Sequence, residues 1–396
     1  MNEAPPHSEE NPTRHDANEP PPAHTTPPCG DTPALAFPPG KAKGSSAGAG
    51  GFLKREFFYI IVLLLVVLAG SLRTWRAFET RQPTSSVDPV FQRDLDQRFE
   101  EKLEALKAVN HPRALFAVGV GFLNLALLCG GIGIALVVLA LWISRGCILA
   151  PMASDAPPWG LWDVLKVAAL FAGGGALFML ILRAETIQAF ASPRTPAAFV
   201  LSGLLLIGAA IVVAREDRGA RLEDLGIKRA GFVRGVVLGL LAFVLLQPVL
   251  YGLGRAHAEA AKAWPRTIPH PFLQQPAHEL LATPSLLAFL LGVFSVVVIA
   301  PVAEELLFRG LLLPALRRWA KPLAAVWLSG AFFGAAHASQ ADMFVFLPMF
   351  VMGVVLGYLY DRTRTLAAPL AAHATYNALV VLQLLAYRLV LTAQVS

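Results

Sequence analysis

Long apolar blocks constrain this chain more than any other feature. Residues 114–143, 161–182, 232–252, 285–316 and 366–391 are apolar almost throughout. A helix crossing hydrocarbon needs ~20 such residues. Only helices and closed barrels satisfy their backbone inside a bilayer, and barrel strands would show as short alternating segments, which the sequence lacks. The expected class is all-α, a polytopic transmembrane helical bundle. Shorter blocks at 57–72, 197–214, 322–336 and 344–360 bring the expectation to about eight to nine spans. The chain is 55% hydrophobic and 15% charged, where soluble proteins carry ~25% charged residues.

The formal net charge of +6 fits basic cytoplasmic loops in a membrane protein. There is no clustered basic and aromatic module, so no nucleic-acid partner is expected. Three cysteines, Cys29, Cys129 and Cys147, form no C-x-x-C pair. Neither a disulfide framework nor a cysteine metal site follows from them.

Three regions are expected along the 396 residues. Residues 1–50 are rich in Pro, Ser, Thr, Gly and charge, and read as a disordered cytoplasmic tail. Residues 51–150 hold an anchor, an amphipathic segment and a second span. The anchor lies too far from the start to be an ordinary cleaved signal. Within 88–109, Phe91, Leu95, Phe99, Leu103 and Leu106 recur at spacings of three and four, the pattern of an amphipathic helix opening at Asp88-Pro89. Residues 151–396 form the core. Asp163 and Lys166 are expected to mark the interface of their span. His257, His270 and His278 fall in a polar, proline-interrupted stretch and are read as solvated loop histidines.

Basic residues crowd alternate connections: Arg215 to Arg234, Arg317 to Lys321, and Arg362 with Arg364. That alternation is what a single cytoplasmic side requires. It places the N-terminal tail inside, and residues 77–112 and the C-terminus outside.

The chemistry-bearing residues stand in the last apolar blocks. Glu304, Glu305 and Arg309 interrupt one, His337 closes the next, and His373 and Asn377 lie in the last. A charge at the centre of a membrane helix costs on the order of 2.5–3.5 kcal/mol, so such residues usually serve a function there. At 1.5 Å per residue, Glu304 lies roughly 20 Å, His337 roughly 24 Å and His373 roughly 10–15 Å from the basic ends of their helices, so the three can share a layer. Glu305 and Arg309 are four apart and share a face, while Glu304 is turned about 100° away. The pair is expected to brace its helix and Glu304 to face the histidines. A carboxylate beside imidazole can activate water. His373 and Asn377, also four apart, carry N–H donors suited to an oxyanion.

Glu-Glu-x-x-x-Arg, Phe-x-x-x-His and His-x-x-x-Asn, in this order and in membrane helices, resemble the CPBP family. These are CAAX-processing and bacteriocin-processing intramembrane proteases, also called Abi, related to type II CAAX prenyl endopeptidases. Leu222-Glu223-Asp224-Leu225-Gly226 resembles a further piece of it. The resemblance runs from about Leu161 to Leu391 and leaves out residues 1–150. It implies a peptidase whose cavity opens toward the cytoplasm. Glu304 would activate water with His337, His373 and Asn377 would form the oxyanion hole, Glu305 and Arg309 would support the site, and Phe333 would pack near it. The family is conventionally labelled metalloprotease. Zinc held by Glu304, His337 and His373 is therefore the alternative to a metal-free reaction, which is the preferred form. The implied partners are the lipid bilayer and a membrane protein or lipid-anchored peptide as substrate. A catalytically silent scaffold or immunity protein of the same fold is the runner-up. A proton-coupled transporter fits less well, because no internal repeat is seen.

Overall fold

A computed structural model of the chain describes residues 89–145, 157–182, 194–263, 285–338 and 345–394, with isolated positions besides. The expected tail and almost all of the first anchor lie outside the described residues. Helix α1 spans Pro89–Ala108, α2 Pro112–Arg145, α3 Leu161–Leu182, α4 Arg194–Val212 and α5 Phe232–Ala263. Helix α6 is the interrupted rod Leu286–Leu316. Helices α7, α8 and α9 span Pro322–His337, Phe346–Thr363 and Ala367–Leu391. Among the described residues the fold is all helical, as expected. Helices α2 and α4 (as Phe199–Asp217), α5, α6 and α9 each carry a stretch long and apolar enough to cross a membrane. Helices α7 and α8 are short, with 16 and 18 residues, and α8 ends in Asp361-Arg362-Thr363. Such helices match an integral membrane protein.

Helix α6 is not a uniform α-helix. Wider π-turns occupy Ser295–Ile299 and Leu306–Leu312, on either side of the α-helical Ala300–Glu305. The sequence explains both. A proline clashes with the carbonyl four residues before it and donates no N–H. For Pro301 and Pro314 those carbonyls belong to Val297 and Gly310, and each lies inside a π-turn. A π-turn widens the helix and relieves the clash, and single π-turns recur at functional sites. The two glutamates sit on the regular segment between them.

Two close approaches fix the helices around α6. On α7 and α8, Gly330 and Gly353 meet backbone to backbone. A Cβ on Gly353 would lie 2.9 Å from Gly330 Cα. On α5, a Cβ on Gly239 would lie 2.2 Å from the carbonyl oxygen of Ala368. Small residues let membrane helices pack at such range, where dispersion rather than the hydrophobic effect holds them together.

The basic loops gather at one end of the bundle. Arg218 Nη2 pairs with Asp163 at 2.8 Å, Arg318 donates to the Trp159 carbonyl at 2.9 Å, Arg317 pairs with Asp361, and Leu366 N–H donates to Gly226 O at 2.9 Å. Gly226 sits at φ +86°, a conformation that suits glycine, and closes the Leu222–Gly226 turn against α9. At the opposite end, α1 packs on the end of α9. Phe99 stacks on Tyr387 with centroids 4.5 Å apart, Lys102 Nζ donates to Leu391 O at 2.7 Å, and Leu106 is buried beside Val390 and Ala393. Residues 89–108 and the C-terminal end of α9 therefore share a side, opposite the basic loops.

One expectation needs correction. His257 is not a solvated loop histidine: α5 runs on through Ala263, and His257 is 6% exposed within it. The polar stretch begins later than its composition suggests, because alanines carry the helix past Gly254. His270 and His278 lie outside the described residues. Asp163 and Lys166 stand at the start of α3, beside the basic connection, and are buried there. Lys166 Nζ lies 2.9 Å from Asp217 and 3.7 Å from Asp163.

Candidate active site

Helices α6, α7 and α9 each contribute to one cluster. Glu304 Oε2 lies 3.4 Å from His337 Nε2 and 3.8 Å from His373 Nε2. The side chains of Glu304 and His337 are 24% and 29% exposed, while that of His373 is 3% exposed. The first glutamate thus faces both histidines at the more open part of the cluster, the arrangement that the helical spacing predicted.

The second glutamate is enclosed. Glu305 Oε1 accepts from Arg309 Nη1 at 2.9 Å and from His373 Nδ1 at 2.8 Å. Arg309 is fully buried and also donates from Nη2 to the Gly353 carbonyl at 3.0 Å. Its guanidinium lies over the Phe333 ring, 4.5 Å from the centroid. The close packing of α7 on α8 sets this arrangement, since it brings Gly353 O within reach of α6. Phe333, fully buried, is the hub of the aromatic packing. Its centroid is 5.2 Å from that of Phe308, 4.5 Å from His337 and 5.7 Å from His373.

Both imidazoles have their tautomer assigned by a partner. His337 Nδ1 faces the Phe333 carbonyl at 2.9 Å, and His373 Nδ1 faces the Glu305 carboxylate. Each partner accepts, so each Nδ1 carries the proton. In the neutral rings the two Nε2 atoms are then acceptors aimed toward Glu304. Glu304 Oε2 and Glu305 Oε2 are buried without a protein hydrogen-bond partner. Several acceptors around one carboxylate oxygen suit a species with protons to give, and water is the simplest.

Asn377 lies one turn beyond His373, and its amide points at α6. Nδ2 donates to the Val296 carbonyl at 2.8 Å. The sequence leaves that carbonyl short of a donor. Ala300 N–H goes to Ser295 O, and Pro301, five residues after Val296, has no N–H. The asparagine fills the place of the missing backbone donor and ties α9 to α6. One amide proton and the carbonyl oxygen of Asn377 remain for other partners.

Glu, His and His are a donor set that zinc accepts. Among the described residues, however, no three His, Cys, Asp or Glu side chains are grouped closely enough to hold a metal ion. As placed, Glu304, His337 and His373 do not fit that group.

Sequence reasoning missed the Glu305–His373 contact, the Arg309–Gly353 contact and the Asn377–Val296 contact. Only the last had a signal in the sequence, the proline at 301. The other two depend on which helices become neighbours.

Residues 285–379 match the family model of type II CAAX prenyl endopeptidase Rce1-like proteins. That segment contains all three motifs and every residue of the cluster. The Bacillus subtilis protein YdiL, whose name calls it a candidate membrane peptidase, is 30% identical over 85 residues, 22% of this chain and 34% of the relative. The match thus spans about a third of that relative's length. No solved structure matches the chain.

Proposed function

We propose that the chain is an intramembrane endopeptidase that hydrolyses a peptide bond in a membrane protein or lipid-anchored peptide. The observation that carries this reading is the convergence of Glu304, His337 and His373 from three helices, with Glu304 Oε2 within 3.4 and 3.8 Å of the two imidazoles.

A water between Glu304 and the imidazoles gives up a proton to Glu304, with His337 Nε2 as a second acceptor, as it attacks the scissile carbonyl. The oxygen of the tetrahedral species gains negative charge and needs donors aimed at it. The second amide proton of Asn377 is one. His373 is the other when both of its ring nitrogens carry protons, because Nδ1–H then still faces Glu305 and Nε2–H is free to donate. The proton returns to the leaving amine. Glu305 and Arg309 position His373 and the α6 backbone and do not touch the substrate. The basic end of the bundle is the cytoplasmic side in this reading.

The experiment is cleavage of membrane-anchored peptides by the purified protein in liposomes, with and without chelator. The reaction proposed here needs no metal. Cleavage that survives exhaustive chelation supports it, and loss of cleavage restored by zinc overturns it. Comparison of membrane proteomes with and without active protein identifies the substrate.

A further inference from the structure

Three arginines converge on one carboxylate at the basic end of the bundle. Asp361, whose side chain is 5% exposed, accepts on Oδ1 from Arg317 Nη1 and from Arg364 Nη2, the latter at 3.3 Å. Arg362 Nε lies 3.8 Å from Oδ2, beyond hydrogen-bonding range, and its guanidinium lies 5.1 Å from the Tyr358 ring centroid. Among the described residues, Asp361 is the carboxylate paired with all three guanidinium groups.

Basic residues at this boundary follow from the orientation bias of membrane proteins alone, but such charges are usually well solvated, and these are only partly exposed. The side chains of Arg317, Arg362 and Arg364 are 18%, 21% and 10% exposed. Arg362 Nε and Arg364 Nε are buried with no hydrogen-bond partner. A buried N–H donor on a permanent cation is costly without an acceptor. The guanidinium fork matches a phosphate geometrically, with paired N–H groups directed at two oxygens.

The level is that of lipid headgroups. Trp319, between Arg318 and Lys321 at the same end, is 79% exposed, and exposed tryptophan marks the membrane–water interface. We propose that Arg317, Arg362 and Arg364, organised around Asp361, form a binding site for a phosphate group, supplied by an anionic phospholipid of the surrounding leaflet. The lipid phosphate meets the exposed parts of the three guanidinium groups, and the net negative headgroup offsets the positive charge that Asp361 alone does not balance.

The test uses the full chain purified in detergent. Native mass spectrometry and thermal melting are followed as phosphatidylglycerol, phosphatidylcholine or inorganic phosphate is added. Phosphatidylglycerol is expected to be retained and to raise the melting temperature, while phosphatidylcholine does neither. Arg362→Gln leaves the Asp361 pairs with Arg317 and Arg364 in place, and should weaken phosphatidylglycerol retention roughly tenfold, the loss of about one charge-assisted contact. Arg362→Lys keeps the charge but not the fork and should fall between. Equal retention of the two lipids, or unchanged phosphatidylglycerol binding by Arg362→Gln, would overturn the proposal. Inorganic phosphate that matches the thermal shift and displaces the lipid would assign the same chemistry to a free anion and overturn the lipid source.

Discussion

His373 Nδ1 lies 2.8 Å from Glu305 Oε1, and the same oxygen accepts from Arg309. The second glutamate of the pair therefore braces its own helix and orients a histidine on another. Breaking a buried ion pair by removing one partner costs about 3–5 kcal/mol, because the other charge is left uncompensated. Arg309→Ala and Glu305→Gln should each lower stability by about that amount. Arg309→Ala combined with Glu305→Gln should be less destabilising than the sum of the single changes, since neither charge is then stranded. Melting temperatures of the four proteins in detergent check this. An Arg309→Ala variant as stable as the parent would remove the bracing role.

Gly353 and Gly330 set the distance between α7 and α8. A methyl on Gly353 would lie 2.9 Å from Gly330 Cα and 3.1 Å from Phe333 Cβ, too close for backbone to yield. Gly353→Ala should push α7 outward, carry Phe333 and His337 with it, and draw the Gly353 carbonyl away from Arg309. The expected outcome is loss of cleavage together with a lower melting temperature. Gly252→Ala is the control, because nothing lies within 4 Å of a Cβ there. It should leave both readouts unchanged.

Asn377 is asked to do two things in the proposed mechanism, and they can be separated. Its amide bond to Val296 O is an interhelical hydrogen bond in a membrane bundle, worth about 0.6–2 kcal/mol. Asn377→Ala should therefore reduce stability by about that much and also slow cleavage. A stability loss with full activity would leave Asn377 as a latch alone. Slow cleavage with unchanged stability would remove the latch.

The elements were legible because each apolar block is long and ends in charge or proline. All six expected block edges at α6, α7 and α9 fall within a residue of the helices, as at Pro322, where proline suits the first turn of a helix. Legibility failed where composition is mild: the alanines after Gly254 extended α5 and buried His257. The site was legible in its residue types and in the facing of Glu304 against Glu305, which follow from helical rotation alone. What lay beyond the sequence was which carbonyl each buried donor would reach. Arg309 reaches Gly353 O only because Gly330 and Gly353 let two backbones meet. His373 reaches Glu305 only because α5, through Gly239, seats the start of α9 close to α6.

Glu304 carries the central claim. Glu304→Gln preserves shape and removes the charge that accepts the proton of water. Its side chain is 24% exposed, and among the described residues no arginine or lysine pairs with it as Arg309 pairs with Glu305, so the variant should melt close to the parent. The decisive measurement is the single-turnover cleavage rate of a membrane-anchored peptide by Glu304→Gln in liposomes, with folding checked by its melting curve. The account predicts a fully folded protein in which cleavage falls by at least ~100-fold, the usual span of general-base catalysis. A folded variant that cleaves at the parental rate would contradict it.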